Sequence, residues 1–296
     1  MTVKQTLIRA REVLTSNNIE EANLESELLL RHALQIDRVQ LYQNLDRELS
    51  PEEDEKFWSL IKRRLNHEPT AYITGHREFY GLDFYVDPVV LIPRPESELL
   101  VEKSLYLAQK YNLSTIADIG TGCGAIAISL ALNLPLVKIY ATDISAAALK
   151  VALFNCHKHG VADRIFLLEG DMLDPLPEPV DLIIANLPYV RESELSQVNT
   201  HDFEPSQALN GGPDGLTQIR RLSLQIDDRL RPGGWLLLEI GQGQSNAVTT
   251  LLHRRFPLAE IEAISDLSGI ERVVSLSLPS GWHFSKQDEK IKTSYR

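Results

Sequence analysis

Residues 181–189, DLIIANLPY, determine the fold class of this chain, because an apolar run of strand type stops abruptly there at Asn186. A short apolar run bounded by turn residues is typical of a parallel strand that is buried on both faces. In open α/β sheets, ligands bind beyond the carboxyl ends of such strands. The stretch therefore predicts that Asn186 and Tyr189 face a ligand, although an ordinary Asn-x-Pro turn also explains this stretch taken alone.

A second strand end lies earlier in the chain, at residues 115–124, TIADIGTGCG, and leads into the small-residue helix AIAISLALNL. Gly120, Gly122 and Gly124 permit a tight turn and a close approach of the backbone to a ligand. The following helix is expected to direct its free N–H groups and the positive end of its dipole toward the same place. Residues 120–124, the glycine loop, therefore indicate a nucleotide-binding site.

Two cofactor classes are compatible with the glycine loop. The spacing Gly120-x-Gly122-x-x-Ala125 satisfies the loose dinucleotide fingerprint, and Asp143 follows at the end of the segment KIYATD. Asp118 favours S-adenosylmethionine, because a carboxylate before the first glycine would repel a pyrophosphate and attract the ammonium group of a methionine moiety. A nicotinamide oxidoreductase, or a non-catalytic dinucleotide binder, is the alternative from another functional class.

The next two strand ends hold candidate contacts for an adenosine. Asp143 can accept hydrogen bonds from both hydroxyls of a ribose, and it is also suited to the N-terminus of the helix that follows. A third strand, IFLLEGDML, ends near Asp171 and Met172, where an acid could bind an adenine amino group and a thioether could pack on the ring. For Asp171, a turn without ligand contact is an equal alternative.

Composition and charge limit the classes of partner. The chain has 296 residues, 43% of them hydrophobic, which is enough for a full core in two units. Its net charge of −11 argues against extended contact with nucleic-acid phosphates and favours a protein or peptide substrate. The N-terminus lacks an apolar signal core and no run approaches the length of a membrane span, so we expect a cytoplasmic protein without a membrane partner.

Neither the cysteines nor the histidines predict a metal site or a disulfide. Cys123 and Cys156 lack paired spacing and a secretory context. In Cys156-His157-x-His159 the residues are too close on a helix end for all of them to face one ion easily. Cys123 is interpreted as a small residue of the glycine loop, because no base that could activate it is evident nearby.

The order of patterns along the chain predicts four segments. Residues 1–70 show helical spacing of apolar residues and a helix start at Ser50-Pro51-Glu52-Glu53, which predicts a small helical bundle that docks a protein substrate or braces the catalytic domain. The other three segments are a β-hairpin linker at 71–92, a catalytic sheet domain at 93–280 and a polar tail at 281–296. Seven strands that alternate with helices and end in an antiparallel pair predict an α/β methyltransferase sheet.

Two further features belong to the predicted catalytic domain. Residues 190–216 have little periodicity, which is typical of a lid or binding loop. Upstream, a helix is predicted to begin near Ser97. Arg94 and Glu96 are candidates for orienting the edge of the cofactor or the entry loop, and surface charges before a helix are the alternative.

The chain resembles the release factor glutamine methyltransferases, which methylate the side-chain amide of the glutamine in the Gly-Gly-Gln motif of peptide chain release factors. The most specific shared segments are YITGHREFYGLDFYVDPVVLIPRPESE and EPSQALNGGPDGL, and DIGTGCGAIAISLA, ATDIS, PGGWLLLEIG and DLSGIERVV also match. The resemblance implies a seven-stranded, Rossmann-like class I methyltransferase sheet with an N-terminal helical bundle. It also implies S-adenosylmethionine as cofactor, release factors as partners and no metal.

The resemblance also implies the site residues. It places the cofactor site on Gly120, Thr121, Gly122, Cys123, Gly124, Asp143, Met172 and Asn186, to which we add Asp118 and Asp171 on the physical grounds given above. The catalytic and substrate-binding residues would be Asn186, Leu187, Pro188 and Tyr189, here called the NLPY loop.

One residue of the NLPY loop departs from the family. Leu187 stands where the family usually has proline, and Asn-Leu-Pro-Tyr is more typical of ribosomal RNA adenine dimethyltransferases. An adenine N6-methyltransferase acting on RNA or DNA is therefore the alternative function. We expect the Asn186 side-chain carbonyl and the Leu187 backbone carbonyl to accept the two N–H groups of a substrate amide, with Tyr189 flat on the amide plane and Pro188 holding the bend.

Overall fold

The computed structural model describes residues 1–197 and 202–282. The chain divides into two compact units, Met1–His76 and Arg77–Arg296. Most of the predicted polar tail, from residue 283 onward, lies outside the described residues, whereas Trp282 is buried in a hydrophobic cluster. In the described part of the chain, no helix combines the length and the apolar character that crossing a membrane requires.

The N-terminal unit is helical. Its helices are α1 (Val3–Ser16), α2 (Ala22–Leu34), α3 (Arg38–Gln43), α4 (Pro51–Leu65) and α5 (Thr70–Thr74). The predicted start of α4 is confirmed, because the Ser50 hydroxyl accepts the Glu53 N–H, the Glu53 carboxylate accepts the Ser50 N–H, and Pro51 occupies the first turn. The helix buries Phe57, Leu60 and Ile61 in a core with leucines of α1 and α2.

Two short strands follow, β1 (His76–Phe79) and β2 (Leu82–Tyr85), and they form a separate two-stranded sheet. They occupy less of the chain than the predicted hairpin at 71–92, because α5 fills the first part of that range. Pro69 precedes α5, and Gly75, with a φ of +73°, ends the helix in the left-handed conformation. These two residues favour a short helix at residues 70–74, although the alternation of apolar and polar residues there suggested a strand.

The second unit is built on a seven-stranded sheet. Its strands are β3 (Thr115–Ile119), β4 (Lys138–Asp143), β5 (Ile165–Glu169), β6 (Val180–Ala185), β7 (Leu230–Glu239), β8 (Glu260–Ser265) and β9 (Glu271–Ser277). Their order is β5-β4-β3-β6-β7-β9-β8, with β3 to β7 parallel and β9 antiparallel to both of its neighbours. The predicted fold class, including the closing antiparallel pair, is confirmed.

Helices connect and cover these strands. They are α6 (Glu98–Tyr111), α7 (Ala125–Asn133), α8 (Ala146–Lys158), α9 (Ser206–Leu209), α10 (Thr217–Gln225) and α11 (Ser245–Arg255), with short 3-10 helices at Pro95–Ser97 and Glu192–Gln197. All five residues of β3 and five of the six in β6 are buried, which explains why both strands are such apolar runs.

The strand order creates a crevice at the carboxyl end of β3. The chain continues from β3 to β4 on one side of it, whereas β6 lies on its other side. Ile119 and Ala185, the last residues of β3 and β6, are register partners. The glycine loop and the NLPY loop therefore leave the sheet side by side.

Candidate active site

The glycine loop turns tightly under backbone control. Gly120 and Gly122 have φ angles of +71° and +57°, which favour glycine. The N–H groups of Gly120 and Thr121 both donate to the Thr142 carbonyl at 2.9 Å, which attaches the loop to the end of β4. A Cβ at Gly120 would lie 3.5 Å from the Leu187 side chain, so the glycine loop and the NLPY loop are in close contact.

Asp143 connects the glycine loop to the start of α8. One carboxylate oxygen accepts the Gly122 N–H and the other accepts the Ser145 N–H, each at 2.9 Å. Burial raises the pKa of Asp143, and these backbone donors oppose the rise. Because each carboxylate oxygen can accept more than one hydrogen bond, contacts to ribose hydroxyls are compatible with this structural role.

Asp118 points into the protein, away from the position expected for a ligand contact. Its side chain is 1% exposed, and it accepts the Thr121 hydroxyl at 2.6 Å and the Ala127 N–H. Burial raises its pKa to about 6. The carboxylate therefore ties the glycine loop to the first turn of α7, and at least one N–H group that was expected to face a ligand is used inside the protein.

A cavity of ≈ 930 Å³, including space open to solvent, lies at the carboxyl ends of β3, β4 and β6. We call it the strand-end cavity. Among the predicted site residues, those that line it are Gly120, Gly122, Asp143, Asp171, Met172, Asn186, Leu187 and Pro188. Those outside the lining are Asp118, Thr121, Cys123, Gly124 and Tyr189. The lining thus brings together residues from all four predicted strand ends, namely Gly120, Asp143, Asp171 and Asn186.

Asn186 belongs to a buried hydrogen-bond network. Its Nδ2 donates to the Ser97 hydroxyl at 3.0 Å, and that hydroxyl donates to Glu239 Oε2 at 2.5 Å. The Tyr189 hydroxyl donates to the other oxygen of Glu239 at 3.2 Å. Burial raises the pKa of Glu239 to about 7, although both hydroxyl donors favour its ionised form. Burial, followed by the nearby Glu239 charge, raises the pKa of Tyr189.

The chain directly after the NLPY loop is hydrogen-bonded to residues 209–211, and the last residue of the loop accepts a hydrogen bond from Gln244. The Val190 N–H donates to the Leu209 carbonyl at 3.0 Å, and the Gly211 N–H donates back to Val190 at 2.8 Å. Gln244 Nε2 donates to the Tyr189 carbonyl at 2.9 Å. A Cβ at Gly211 would lie 2.8 Å from Tyr189 Cα, which shows how closely the two backbones approach.

Comparison with known proteins agrees with this architecture. The family model of the PrmC N-terminal domain matches residues 5–75, and that of the methyltransferase small domain matches residues 95–209. A release factor glutamine methyltransferase of Moorella thermoacetica is 43% identical over 274 residues, which cover 92% of this chain and 97% of that protein. The chain belongs to the release factor glutamine methyltransferase family. The predicted family and enzyme class are thus confirmed.

Other relatives extend the comparison. The release factor glutamine methyltransferase of Geobacter sulfurreducens is 40% identical over 276 residues, covering 92% of this chain and 95% of that protein. The solved structure of a methyltransferase from Pyrococcus furiosus is 17% identical, with a TM-score of 0.51, and covers 74% of this chain and 97% of that chain. At that identity the likeness shows only that the two proteins share a fold.

The departure from the family at Leu187 has a structural counterpart. The Leu187 side chain is buried in the same hydrophobic cluster as Ile119 and Met172. It thereby anchors the NLPY loop to the core by apolar packing, in a place where a proline would restrict the loop through its ring.

Arg94 forms an ion pair with Glu204 at 2.5 Å, and the Glu204 carboxylate also accepts the Ile92 N–H. Glu204 directly precedes Pro205, which lines the strand-end cavity together with Gln207 and Ala208. Of the two predicted roles for Arg94, orientation of the entry loop is the one that this contact supports. Residues 198–201 of the predicted loop lie outside the described residues.

Asp171 is held by a residue that the sequence did not suggest. Arg221 of α10 donates to its carboxylate at 2.7 Å, and both residues line the strand-end cavity. Met172, next to it, adopts a φ of +51° and is buried. Asp171 therefore has a protein partner at the edge of the cavity, and its predicted contact with an adenine amino group stays a prediction.

The cysteines are buried thiols. Burial raises the pKa of Cys123 to about 12 and that of Cys156 to about 11, so both thiols are protonated near neutral pH. Within residues 1–197 and 202–282, no group of three His, Cys, Asp or Glu side chains is arranged to hold a metal ion.

Proposed function

We propose that this enzyme transfers a methyl group from S-adenosylmethionine to the side-chain amide nitrogen of the glutamine in the Gly-Gly-Gln motif of peptide chain release factors. The observation on which the proposal depends is the orientation of Asn186. Its Nδ2 is engaged by Ser97, so its side-chain carbonyl is available to accept a substrate N–H. Among the described residues, no hydrogen bond to that carbonyl oxygen competes with a substrate.

The strand-end cavity fits the proposed cofactor. It is open to solvent on one side and combines mainly apolar lining residues with a few polar groups, Asp143 and Asn186 among them, as is typical of small-molecule sites. Asp143 would accept the ribose hydroxyls, and Met172 and Ile144 would contribute apolar surface for the adenine. Apart from Gly122 itself and its two chain neighbours, no atom of the described residues lies within 4 Å of a Cβ built at Gly122, so the glycine loop leaves open space beside Asp143.

The substrate nitrogen must be aimed, because the lone pair of an amide nitrogen is delocalised into its carbonyl. When bound, S-adenosylmethionine supplies a methyl group on a positively charged sulfur, which keeps the electrons of the broken C–S bond. We infer that the Asn186 side-chain carbonyl and the Leu187 backbone carbonyl each accept one N–H of the glutamine amide and so orient its lone pair. The same carbonyl dipoles stabilise the positive charge that develops on the nitrogen. The nitrogen becomes neutral again when one of its two original protons leaves to water. Pro188 would fix the bend between these acceptors and Tyr189.

Two observations support a protein substrate. The relatives from Moorella and Geobacter are named for release factors, and each is covered along nearly its whole length. The net charge of −11 is unfavourable for a surface that follows nucleic-acid phosphates. We further propose that the helical bundle of residues 1–70 docks the release factor and that the reaction takes place in the cytoplasm.

The second candidate function is methylation of an adenine amino group in RNA or DNA. Leu187 favours it, because Asn-Leu-Pro-Tyr is the form of the motif that we associate with adenine dimethyltransferases. An adenine amino group is planar and delocalised like an amide, so the same two carbonyls could orient it. The acidic charge of the chain is the observation against it.

One experiment distinguishes the two candidates. The protein is incubated with S-adenosylmethionine labelled in the methyl group and with either a purified release factor or total RNA and DNA. We expect label in the release factor, and peptide mass spectrometry should place one added methyl group on the glutamine of its Gly-Gly-Gln motif. Label found in nucleic acid alone would reject the proposed function.

A further inference from the structure

Ser97 and Glu239 form a buried pair directly behind Asn186. Each residue is 3% exposed, and neither lines the strand-end cavity. We infer that Ser97 and Glu239 are positioning residues that fix the side-chain amide of Asn186 with its carbonyl toward the substrate. The inference rests on the proposed function, because it concerns how the proposed amide acceptor is oriented.

The donor and acceptor capacities of the three side chains determine the direction of the network. An ionised Glu239 only accepts hydrogen bonds, and the Ser97 hydroxyl donates its single proton to Glu239 Oε2 at 2.5 Å. Ser97 Oγ can therefore only accept from Asn186, which must present its NH2 group at 3.0 Å. The Asn186 carbonyl then lies on the other side of the amide, where an N–H of the substrate can donate to it.

Protonation of Glu239 permits the opposite direction. A protonated carboxyl can donate to Ser97 Oγ, and the Ser97 hydroxyl is then able to donate to the Asn186 carbonyl after the amide turns by half a rotation. Asn186 would then present its NH2 group to the substrate amide, so that two donors face each other and the substrate N–H loses its acceptor. The ionised Glu239 therefore fixes the carbonyl of Asn186 toward the substrate, and protonation of Glu239 removes this constraint.

The surroundings of Glu239 allow this change near neutral pH. Glu96, in the 3-10 helix before α6, disfavours its charge, whereas Arg272 of β9 and the Tyr189 hydroxyl favour it. Arg272 is shared with Asp266 at 3.1 Å, and it lies 3.8 Å from Glu96. Burial exceeds these effects and raises the pKa of Glu239 to about 7. We therefore expect turnover to fall as the pH decreases through about 7.

The test uses the full-length enzyme with a purified release factor. For the wild type, kcat is measured between pH 6 and 8.5, together with the Kd of S-adenosylhomocysteine by calorimetry. We expect kcat to fall about tenfold per pH unit below the pKa, while Kd stays constant. For Ser97→Ala and Glu239→Gln we expect a decrease in kcat of about tenfold or more at pH 8 and a flat pH profile, again with unchanged Kd, because misorientation affects turnover.

Ser104→Ala is the matched control. Ser104 is fully buried, and its hydroxyl donates to the Leu100 carbonyl within α6. This variant should therefore keep the kcat and the pH profile of the wild type. Circular dichroism checks the folding of all three variants, and if Glu239→Gln does not fold, the wild-type profile and Ser97→Ala decide the question.

The outcomes separate the inference from the proposed function. Wild-type kcat and an unchanged pH profile in folded Ser97→Ala would overturn the positioning role of the network. A loss of S-adenosylhomocysteine affinity equal to the loss of kcat would overturn it as well, since the defect would then lie in the cavity. A wild-type enzyme that methylates no release factor at any pH would instead reject the proposed function, and the inference with it.

Discussion

Gly211→Ala tests whether close packing behind the NLPY loop sets the position of Tyr189. The new Cβ would lie 2.8 Å from Tyr189 Cα, Tyr189 C and Gly215 Cα, all of which are backbone atoms. Ordinary van der Waals contact begins at 3.4 Å, so the backbones must separate by about 0.6 Å. A misplacement of about 1 Å can cost about a hundredfold in rate, so we expect kcat to fall between about tenfold and a hundredfold.

The assay combines turnover on a release factor with thermal unfolding and calorimetric binding of S-adenosylhomocysteine. Overpacking should also lower the free energy of unfolding by about 1–3 kcal/mol. Affinity for S-adenosylhomocysteine should change little, because Gly211 does not line the strand-end cavity. Gly281→Ala is the control, since among the described residues no atom beyond its two chain neighbours lies within 4 Å of a Cβ built there. Wild-type kcat and unfolding temperature in Gly211→Ala would refute the reasoning.

Three further predictions follow from the site. Asn186→Ala should reduce kcat about a hundredfold and change the Kd of S-adenosylhomocysteine much less, and unchanged turnover would show that another group holds the amide. Asp143→Ala should weaken binding of S-adenosylhomocysteine, measured by calorimetry, and a defect in kcat alone would contradict the ribose contact. The pKa of Asp118 rises from 3.8 to about 6 on folding, so the folded state binds this proton more tightly than the unfolded state. The contribution of Asp118 to the free energy of unfolding should therefore fall by about 3 kcal/mol as the pH rises from about 4 to 6. Urea unfolding of Asp118→Asn should lack this part of the pH dependence, and the same dependence in variant and wild type would contradict the assignment.

The sequence predicted those parts of the site that local patterns determine. The apolar runs of β3 and β6 indicated buried parallel strands, and the polar residues after them identified the carboxyl edge of the sheet. The glycines of the glycine loop required positive φ angles, which Gly120 and Gly122 adopt. Such features depend on a few consecutive residues, so they can be inferred without knowledge of the tertiary packing.

Contacts between distant residues could not be predicted in this way. Glu239 is 142 residues from Ser97 in the sequence, and Arg221 is 50 residues from Asp171. The direction of Asp118 depends on the packing of α7 against the glycine loop, and nothing in the local pattern indicates it. One sequence feature could have indicated Glu239. It is a charged residue at the end of the apolar run WLLLEIG, and such a run predicts a buried strand that ends at the same edge of the sheet as the strand before Asn186.

The pairing of Ile119 with Ala185 has a consequence for enzyme engineering. Adjacent strands in a sheet are spaced about 4.8 Å apart, and this spacing is fixed by their backbone hydrogen bonds. The glycine loop, which we propose to bind the methyl donor, and the NLPY loop, which we propose to bind the acceptor, therefore follow two adjacent strands of one sheet. Exchanging surface segments outside these two loops should therefore change which substrates bind. The distance between the glycine loop and the NLPY loop should stay the same, because the sheet fixes it.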